Sequence, residues 1–231
     1  MNMVSLQLQA PSGYVAFADQ DDFWLPQKLA RAVWHLQKSP SHVPALYAAR
    51  RIITDEKLTP VTVSAPLRRR AGFANALVQN IAPGNTIVLN PAAVSLARTA
   101  AQRVQHADLP FHDWWLYQLV SGAGGRIIFD TTPVLLYRQH SANHFGSGHG
   151  LTARLSRLRA LSDGRYKHWL YAQASALKHS ADLMTPIANR LLENFLSGLD
   201  GAAAPVHKLG LYRQSLWEQV MLRLAMATGH V

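Results

Sequence analysis

The sequence predicts an α/β fold with a mixed β-sheet, flanking helices and a C-terminal helical region. Short runs of strand character alternate with amphipathic runs as far as residue 138. From residue 151 onward, helical patterns follow one another, separated by glycine and proline. With 231 residues, of which 48% are apolar and 16% charged, the chain can bury a core. We therefore expect a sheet-containing domain at 1–148 and a helical region at 149–231.

The composition narrows the classes of partner and compartment. The chain has no cysteine, which excludes disulfides and thiolate metal sites. It has no apolar run of about 18 residues, and its first residues lack the features of a secretory signal. A net charge of +10 favours a phosphorylated substrate, an anionic membrane surface or nucleic acid, but no zinc-finger, RNA-recognition or basic-zipper pattern accompanies it. We predict a cytoplasmic protein with a peripheral contact to the inner face of the cell membrane and no specific nucleic-acid partner.

Strands and helices are predicted from periodicity and residue type. Strands are expected where β-branched and aromatic residues cluster, at 14–18, 45–54, 61–63, 86–89, 126–130 and 134–138. Helices are expected where apolar residues recur at helical spacing, at 25–39, 72–78, 92–106, 114–120, 151–161, 166–180, 183–196 and 207–226. Asn90 and Pro91 are predicted to cap and open a helix. In the first helix, Lys28 falls on the polar side.

Three carboxylates follow the first predicted strand directly. Asp19, Asp21 and Asp22 stand between the apolar run 14–18 and Pro26, which lies in the first turn of a predicted helix. Carboxylates this close repel one another, and a divalent cation with oxygen ligands would offset the repulsion. The alternative is that Asp22 caps the helix while Asp19 and Asp21 are solvated loop residues. The spacing alone leaves both interpretations open.

Two later segments carry further candidate residues. The run Pro83-Gly84-Asn85 predicts a turn whose backbone N–H groups can approach a ligand closely, and an ordinary turn is the alternative. Asp113 stands before an aromatic helix start, in the order His112-Asp113-Trp114-Trp115. An N-cap aspartate is the structural interpretation, and it is compatible with a general base that the two tryptophans desolvate. His112 is the weaker alternative for that base.

These segments resemble family 2 of the glycosyltransferases, which are inverting enzymes of the Rossmann-like GT-A type. The run FADQDDFWLPQKL at 17–29 is especially similar to the rhamnosyltransferase-like branch, and the segments 83–91 and 111–143 follow in the family's order. The resemblance implies transfer of a sugar from a nucleotide-sugar, dTDP-rhamnose or a UDP-sugar. The implied acceptor is a hydroxyl of a polysaccharide or lipid-linked glycan.

The resemblance also implies roles for single residues. A divalent metal, Mn²⁺ or Mg²⁺, would be held against the diphosphate by Asp19, Asp21, Asp22 and His140. Asp113 would deprotonate the acceptor hydroxyl. Substrate binding is implied for the remaining matched residues, which are Gly84, Asn85, His112, Trp114, Trp115 and Arg138. A zinc site at His140 and His144 is disfavoured, because the residues between them and Gly146 argue against a helix.

The matching segments begin close to the start of the chain. A GT-A domain opens with two β-α units that bind the nucleoside and span roughly 70 to 90 residues, whereas 13 residues precede the first predicted strand here. We therefore expect the N-terminal nucleoside-binding part to be missing. Two non-enzymatic alternatives stay open. One is an inactive remnant that binds membranes or polyanions through its basic surface, and the other is a nucleic-acid binder suggested by charge alone.

Overall fold

The computed structural model describes residues 12–139, 164–201 and 208–228. These residues form two four-stranded sheets and seven α-helices. The strands are β1 Val15–Ala16, β2 Phe23–Trp24, β3 Ala45–Ala49, β4 Ile52–Thr54, β5 Pro60–Val63, β6 Val88–Leu89, β7 Arg126–Asp130 and β8 Leu135–Arg138. The helices are α1 Lys28–Leu36, α2 Phe73–Ala76, α3 Pro91–Ala101, α4 His112–Gly122, α5 Arg165–Lys178, α6 Pro186–Leu199 and α7 Leu216–Ala227. The predicted α/β class is confirmed.

The single mixed sheet that we predicted is two mixed sheets. The first has the order β1-β6-β3-β7, with β3 and β7 parallel. The second has the order β2-β8-β4-β5, with β4 and β8 parallel. The predicted strand 45–54 breaks at Arg50 and Arg51, where Arg50 N–H donates to Asp130 O and Arg50 O accepts from Val134 N–H, both at 3.1 Å. The two sheets therefore meet at this arginine pair.

The strand β3 lies between two layers of the core. All five of its residues are buried, as expected for an apolar strand that is covered on both faces. Leu46 and Ala48 belong to the larger core cluster, whereas Tyr47 packs in a second cluster with Ala32 and Leu36 of α1. This alternation follows from the period of two along a strand. It fixes α1 against the first sheet and so positions the start of α1.

The C-terminal helices share the larger core with the first sheet. Leu170 of α5, Phe195 of α6 and Leu222 of α7 are buried in the cluster that contains Leu46. The helices predicted at 166–180, 183–196 and 207–226 are observed as α5, α6 and α7. The predicted helix 151–161 and the predicted boundary at 148 lie outside the described residues. Within the described ranges, no helix has both the length and the apolar character needed to cross a membrane.

The bounds of three predicted elements can be compared with those in the structure. The helix predicted from residue 25 starts at Lys28, and the Leu25 N–H ahead of it donates to Val134 O at 3.0 Å. The strand predicted at 86–89 is reduced to β6, preceded by the 3₁₀ turn Gly84–Thr86. The predicted cap is confirmed, since Asn90 Oδ1 accepts from the Ala93 N–H at 2.9 Å and Pro91 opens α3. A cap depends on local chemistry, and local chemistry is readable from sequence.

Candidate functional site

The segment 19–22, here called the acidic loop, joins the edge strands of the two sheets. It follows β1 at the edge of the first sheet and leads into β2 at the edge of the second. Before the loop, the Phe17 N–H donates to Ile87 O at 3.3 Å. This bond holds the start of the loop against the chain that leaves the turn Gly84–Thr86.

Asp22 is tied to that turn by a side chain. The Asn85 amide donates to Asp22 Oδ2, and the backbone N–H of Arg138 also hydrogen-bonds Asp22. Burial raises the pKa of Asp22, the Asn85 hydrogen bond lowers it, and the charges of Asp19 and Asp21 raise it further. Asp22 is not the cap of α1, because that position is Gln27. The interpretation of Asp22 as a helix cap is therefore wrong.

Asp19 lies at the rim of the same group of charges. Asp19 is an exposed residue, yet the protein around the carboxylate removes enough water to raise its pKa, and the charge of Asp21 adds to this. His112 and Arg51 lower the pKa of Asp19, whereas Asp113 raises it. The acidic loop, the start of α4 and the break between β3 and β4 are thus within electrostatic reach of one another.

Asp113 lies in the first turn of α4, and Phe111 is the N-cap residue. The predicted capping role is therefore wrong. Both oxygens of the carboxylate are nevertheless held: Oδ1 accepts from the Trp114 N–H at 2.8 Å, and Oδ2 accepts from the Gly84 N–H at 3.1 Å. The second bond links α4 to the turn that also holds Asp22, and so it brings Asp113 to the acidic loop.

Gly84 lies against the start of α4 with little room to spare. A Cβ at this position would be 3.3 Å from His112 Nε2 and 3.5 Å from Asp113 Cβ. The His112 ring also packs against Phe17, with ring centres 6.0 Å apart. Close approach of two chain segments is thus the reason for a glycine here. The predicted residues Gly84, Asn85, His112 and Asp113 are all brought together with the acidic loop.

Lys28 is a site residue that the helical pattern misplaced. We expected it on the polar side of α1, but it is only 1% exposed. Its Nζ donates to Asn85 O at 2.6 Å and lies 3.4 Å from the ring centre of Trp24. Burial lowers the pKa of Lys28 to about 8, although Asp22 and Asp19 act to raise it. Its place shortly after three aspartates was the available signal, since a buried cation needs such partners.

Arg51 is a second residue that sequence analysis missed. Its guanidinium carbon lies 4.1 Å from the ring centre of Tyr137. Burial lowers the pKa of Arg51, while the charges of Tyr137, Asp22, Asp113 and Asp19 raise it. The doublet Arg50-Arg51 inside an otherwise apolar run was the available signal, because buried arginines are rare unless they are paired.

Two predicted substrate-binding residues lie in the core instead. Trp115 has no exposed surface and Trp114 is 5% exposed, with its Nε1 donating to Ala76 O at 2.6 Å. Both rings pack among the buried side chains of the larger cluster. Neither ring presents a face to a ligand, so the prediction of substrate contact is wrong for both. The helical turn after Asp113 directs them inward.

Two site residues were predicted at and after the end of β8, Arg138 and His140, and of these only Arg138 lies among the described residues. Arg138 contributes its backbone N–H to Asp22. Its neighbour Tyr137 lies under Arg51, and successive side chains on a strand point to opposite faces. We therefore expect the Arg138 guanidinium on the other face of the second sheet. His140 lies outside the described residues, so its role as a metal ligand stays a prediction.

A divalent metal fits the donor chemistry of the acidic loop if a substrate diphosphate supplies some of its ligands. Among the described residues, no group of three or more carboxylates or histidines is placed to hold a metal. One hard oxygen donor, Asp22 Oδ1, is buried and has no hydrogen-bond partner among the described residues. Mg²⁺ is commonly held by one or two carboxylates together with substrate phosphates and water. The residues therefore fit a metal that binds together with a diphosphate.

Comparison with known proteins identifies a distant relative that is a glycosyltransferase. No protein-family model matches the chain. The chain is similar to a dTDP-rhamnosyl transferase, RfbG, of Shigella flexneri, with 25% identity over 193 residues, which cover 80% of this chain and 63% of that protein. It thus spans less than two thirds of the length of this relative. The distant similarity supports a glycosyltransferase of the rhamnosyltransferase-like kind.

Proposed function

We propose that this chain acts as a family 2, GT-A-type glycosyltransferase. It transfers a sugar from a nucleotide-sugar to a hydroxyl of a polysaccharide or lipid-linked glycan at the cytoplasmic face of the membrane. Rhamnose from dTDP-rhamnose is the proposed donor sugar, because the similar protein is named a dTDP-rhamnosyl transferase. The observation that carries the proposal is the meeting of the acidic loop, Asp113 and Arg51 around the turn Gly84–Thr86.

The site combines groups of both charges that such a transfer requires. Carboxylates suit a metal-bound diphosphate, and a guanidinium suits phosphate oxygens. Several buried polar atoms here have no hydrogen-bond partner among the described residues: Asp22 Oδ1, Arg51 Nε, Asn85 Oδ1 and His112 Nε2. Folded proteins leave few such atoms unpaired. Their concentration in one place supports a ligand-binding role.

Asp113 is the general base of the proposed reaction. Its carboxylate, held by the N–H groups of Gly84 and Trp114, accepts the proton of the acceptor hydroxyl as that oxygen attacks the anomeric carbon. The bond between the anomeric carbon and the diphosphate oxygen breaks, and its electron pair leaves with the nucleoside diphosphate. The new glycosidic bond forms with inversion. Arg51 stabilises the negative charge on the departing phosphate, and Asp113 then releases its proton to solvent.

A divalent metal, Mn²⁺ or Mg²⁺, would supply Lewis-acid stabilisation of the leaving group when bound. Asp22 is the proposed ligand through Oδ1. One of the two neighbouring carboxylates, Asp19 or Asp21, and His140 are further proposed ligands. Lys28 orients this ligand indirectly, because it holds the Asn85 backbone while the Asn85 side chain holds Asp22.

Ligand-induced thermal stabilisation of the 231-residue chain tests the nucleotide site. With dTDP at about 100 times its Kd, the free energy of unfolding should rise by about 2.7 kcal/mol. The rise should require Mn²⁺ or Mg²⁺ and should disappear in Asp22→Ala. The matched control is Asp200→Ala, which removes an exposed acid at the end of α6. No stabilisation of wild type, or an equal one in Asp22→Ala, would contradict the proposal.

Sugar transfer itself is tested with Asp113→Asn. This variant should keep the stabilisation by dTDP and metal, because its side chain still occupies the same space. Release of dTDP from dTDP-rhamnose in the presence of acceptor should fall by about 10² to 10⁴-fold. An inactive polyanion-binding module would give a different result, namely retention on anionic polymers that neither Asp22→Ala nor Asp113→Asn alters.

A further inference from the structure

Helix α7 presents an apolar face to the surface. Four large apolar side chains on it are exposed: Leu216 by 73%, Trp217 by 52%, Val220 by 49% and Leu224 by 53%. At 3.6 residues per turn, these four positions lie within about 100° of one another around the helix axis. The opposite side of α7 buries Leu222 in the core. A helix with apolar side chains on two opposite faces is normally covered on both, so something other than water should cover this face.

Arginines flank the apolar face of α7. Arg223 is exposed and lies three residues after Val220, at the edge of the face. Arg69 lines the same surface pocket as Arg223. The backbone N–H groups of Arg68 and Arg69 donate to Gln214 Oε1 at 3.0 and 2.9 Å, immediately before the N-cap of α7. The exposed run Arg68-Arg69-Arg70 therefore lies beside the start of the helix.

Glu218, the acidic residue of α7, does not neutralise these exposed arginines. Glu218 faces inward, where it lies 3.6 Å from Arg213 Nη2 and accepts from Gln79 Nε2 at 3.1 Å. The exposed part of α7 is thus apolar with cations at its border. Its surroundings are complementary to a surface that is apolar inside and anionic outside.

We propose that α7 is a membrane-surface helix that docks on an anionic lipid bilayer. Leu216, Trp217, Val220 and Leu224 insert into the interfacial region, and the flanking arginines 68, 69, 70 and 223 bind lipid headgroups. An apolar helix face with a tryptophan and bordering cations is typical of helices that lie in the bilayer interface. With 12 residues, α7 is too short to span a bilayer. A lipid surface also supplies anionic partners to all four arginines at once, which a single protein partner would have to match one by one.

Co-sedimentation of the purified 231-residue chain with lipid vesicles tests this proposal, and it requires no nucleotide. Vesicles of phosphatidylcholine with phosphatidylglycerol are compared with phosphatidylcholine alone. Wild type should bind the anionic vesicles more strongly, and Val220→Gln with Leu224→Gln should lower that partition coefficient by about tenfold or more. The matched control is Ile187→Gln, because Ile187 is a 75% exposed apolar residue of α6. It should bind as wild type does.

The arginines are tested separately from the apolar face. Arg69→Gln and Arg223→Gln should each lower partition to anionic vesicles by about fivefold, with no change on neutral vesicles. Equal binding of wild type to both kinds of vesicle, or unchanged binding of the Val220/Leu224 double variant, would overturn the proposal. The double variant should melt at the wild-type temperature. A large fall in its melting temperature, or dissociation of a dimer in sedimentation velocity, would show that protein covers the face instead.

Discussion

Lys28 Nζ donates a hydrogen bond to the backbone carbonyl of Asn85 at 2.6 Å, across 57 positions of sequence. The side chain of Asn85 donates in turn to Asp22. A buried ammonium, a 3₁₀ turn and the acidic loop therefore form one connected unit. Such a unit restricts the Asp22 carboxylate to one orientation, which a metal or diphosphate site requires.

Lys28→Met should change how stability depends on pH. In the folded chain, burial lowers the Lys28 pKa to about 8 from an ordinary value of 10.5. Between these values the unfolded chain binds more protons, so the contribution of Lys28 to the free energy of unfolding rises with pH. The difference between wild type and variant should increase by on the order of 3 kcal/mol across this window. Urea unfolding at a series of pH values from 7.5 to about 10.5 measures it.

Lys38→Met is the matched control for this experiment. Lys38 Nζ also lies over a tryptophan ring, 3.1 Å from the ring centre of Trp34. Because Lys38 is exposed, its replacement removes a cation–ring contact without removing a buried ammonium. A pH-independent difference for Lys28→Met would contradict the burial of its ammonium.

Arg51→Gln should weaken the binding of nucleoside diphosphate. A hydrogen bond between charged groups contributes about 1.5 to 3 kcal/mol, which corresponds to roughly 10- to 150-fold in Kd. Isothermal titration calorimetry with dTDP and Mn²⁺ measures the change. Arg50→Gln is the matched control, since the Arg50 side chain is engaged with Ser64 O at 2.6 Å. Equal Kd values for wild type and Arg51→Gln would remove Arg51 from the phosphate site.

Gly84→Ala should impair ligand binding more than stability. The added Cβ would press on His112 Nε2 at 3.3 Å and displace the start of α4 from the turn. Gly72→Ala introduces a contact of the same length, 3.3 Å to Tyr212 Oη, away from the acidic loop. We expect similar melting temperatures for both variants and a loss of dTDP stabilisation in Gly84→Ala alone. Equal loss in both would mean that the effect is a general one on folding.

Asp130→Asn should destabilise the junction of the two sheets. Asp130 accepts from Arg31 Nε at 2.9 Å and from the Tyr47 hydroxyl at 2.8 Å. Burial raises the pKa of Asp130, but hydrogen bonds from Arg31, Thr132 and Tyr47 outweigh it and bring the pKa to about 2. Because Arg31 is 35% exposed, we expect a loss of about 2 kcal/mol rather than the 3 to 5 of a fully buried pair.

The pH dependence of this contribution has a definite sign. A carboxyl whose folded pKa is lowered stabilises the protein above its ordinary pKa and loses that contribution as the pH falls toward the folded value. The difference between wild type and Asp130→Asn should therefore shrink between pH 4 and about 2. Asp182→Asn, which removes an exposed partner of Arg103, should show no comparable loss in the same urea titrations.

Much of the fold and part of the site can be derived from the residues in order. The strand predicted at 126–130 is Arg126–Asp130, and the cap at Asn90 is as expected. Both depend on neighbours within a few positions. The acidic loop, Gly84 and Asp113 were likewise identified from local motifs, and they meet around one turn. Their roles in binding and catalysis stay predictions.

The tertiary structure alone decided which side chains complete the site. Lys28 is buried because the turn Gly84–Thr86 covers one side of α1, and helical periodicity carries no information about a segment 57 residues away. Arg51 joins the acidic residues because the chain breaks between two sheets. Trp114 and Trp115 lie outside the site, because α4 packs against the sheet with both rings in the core. Periodicity assigns faces to an element, but only the packing of distant segments determines what each face meets.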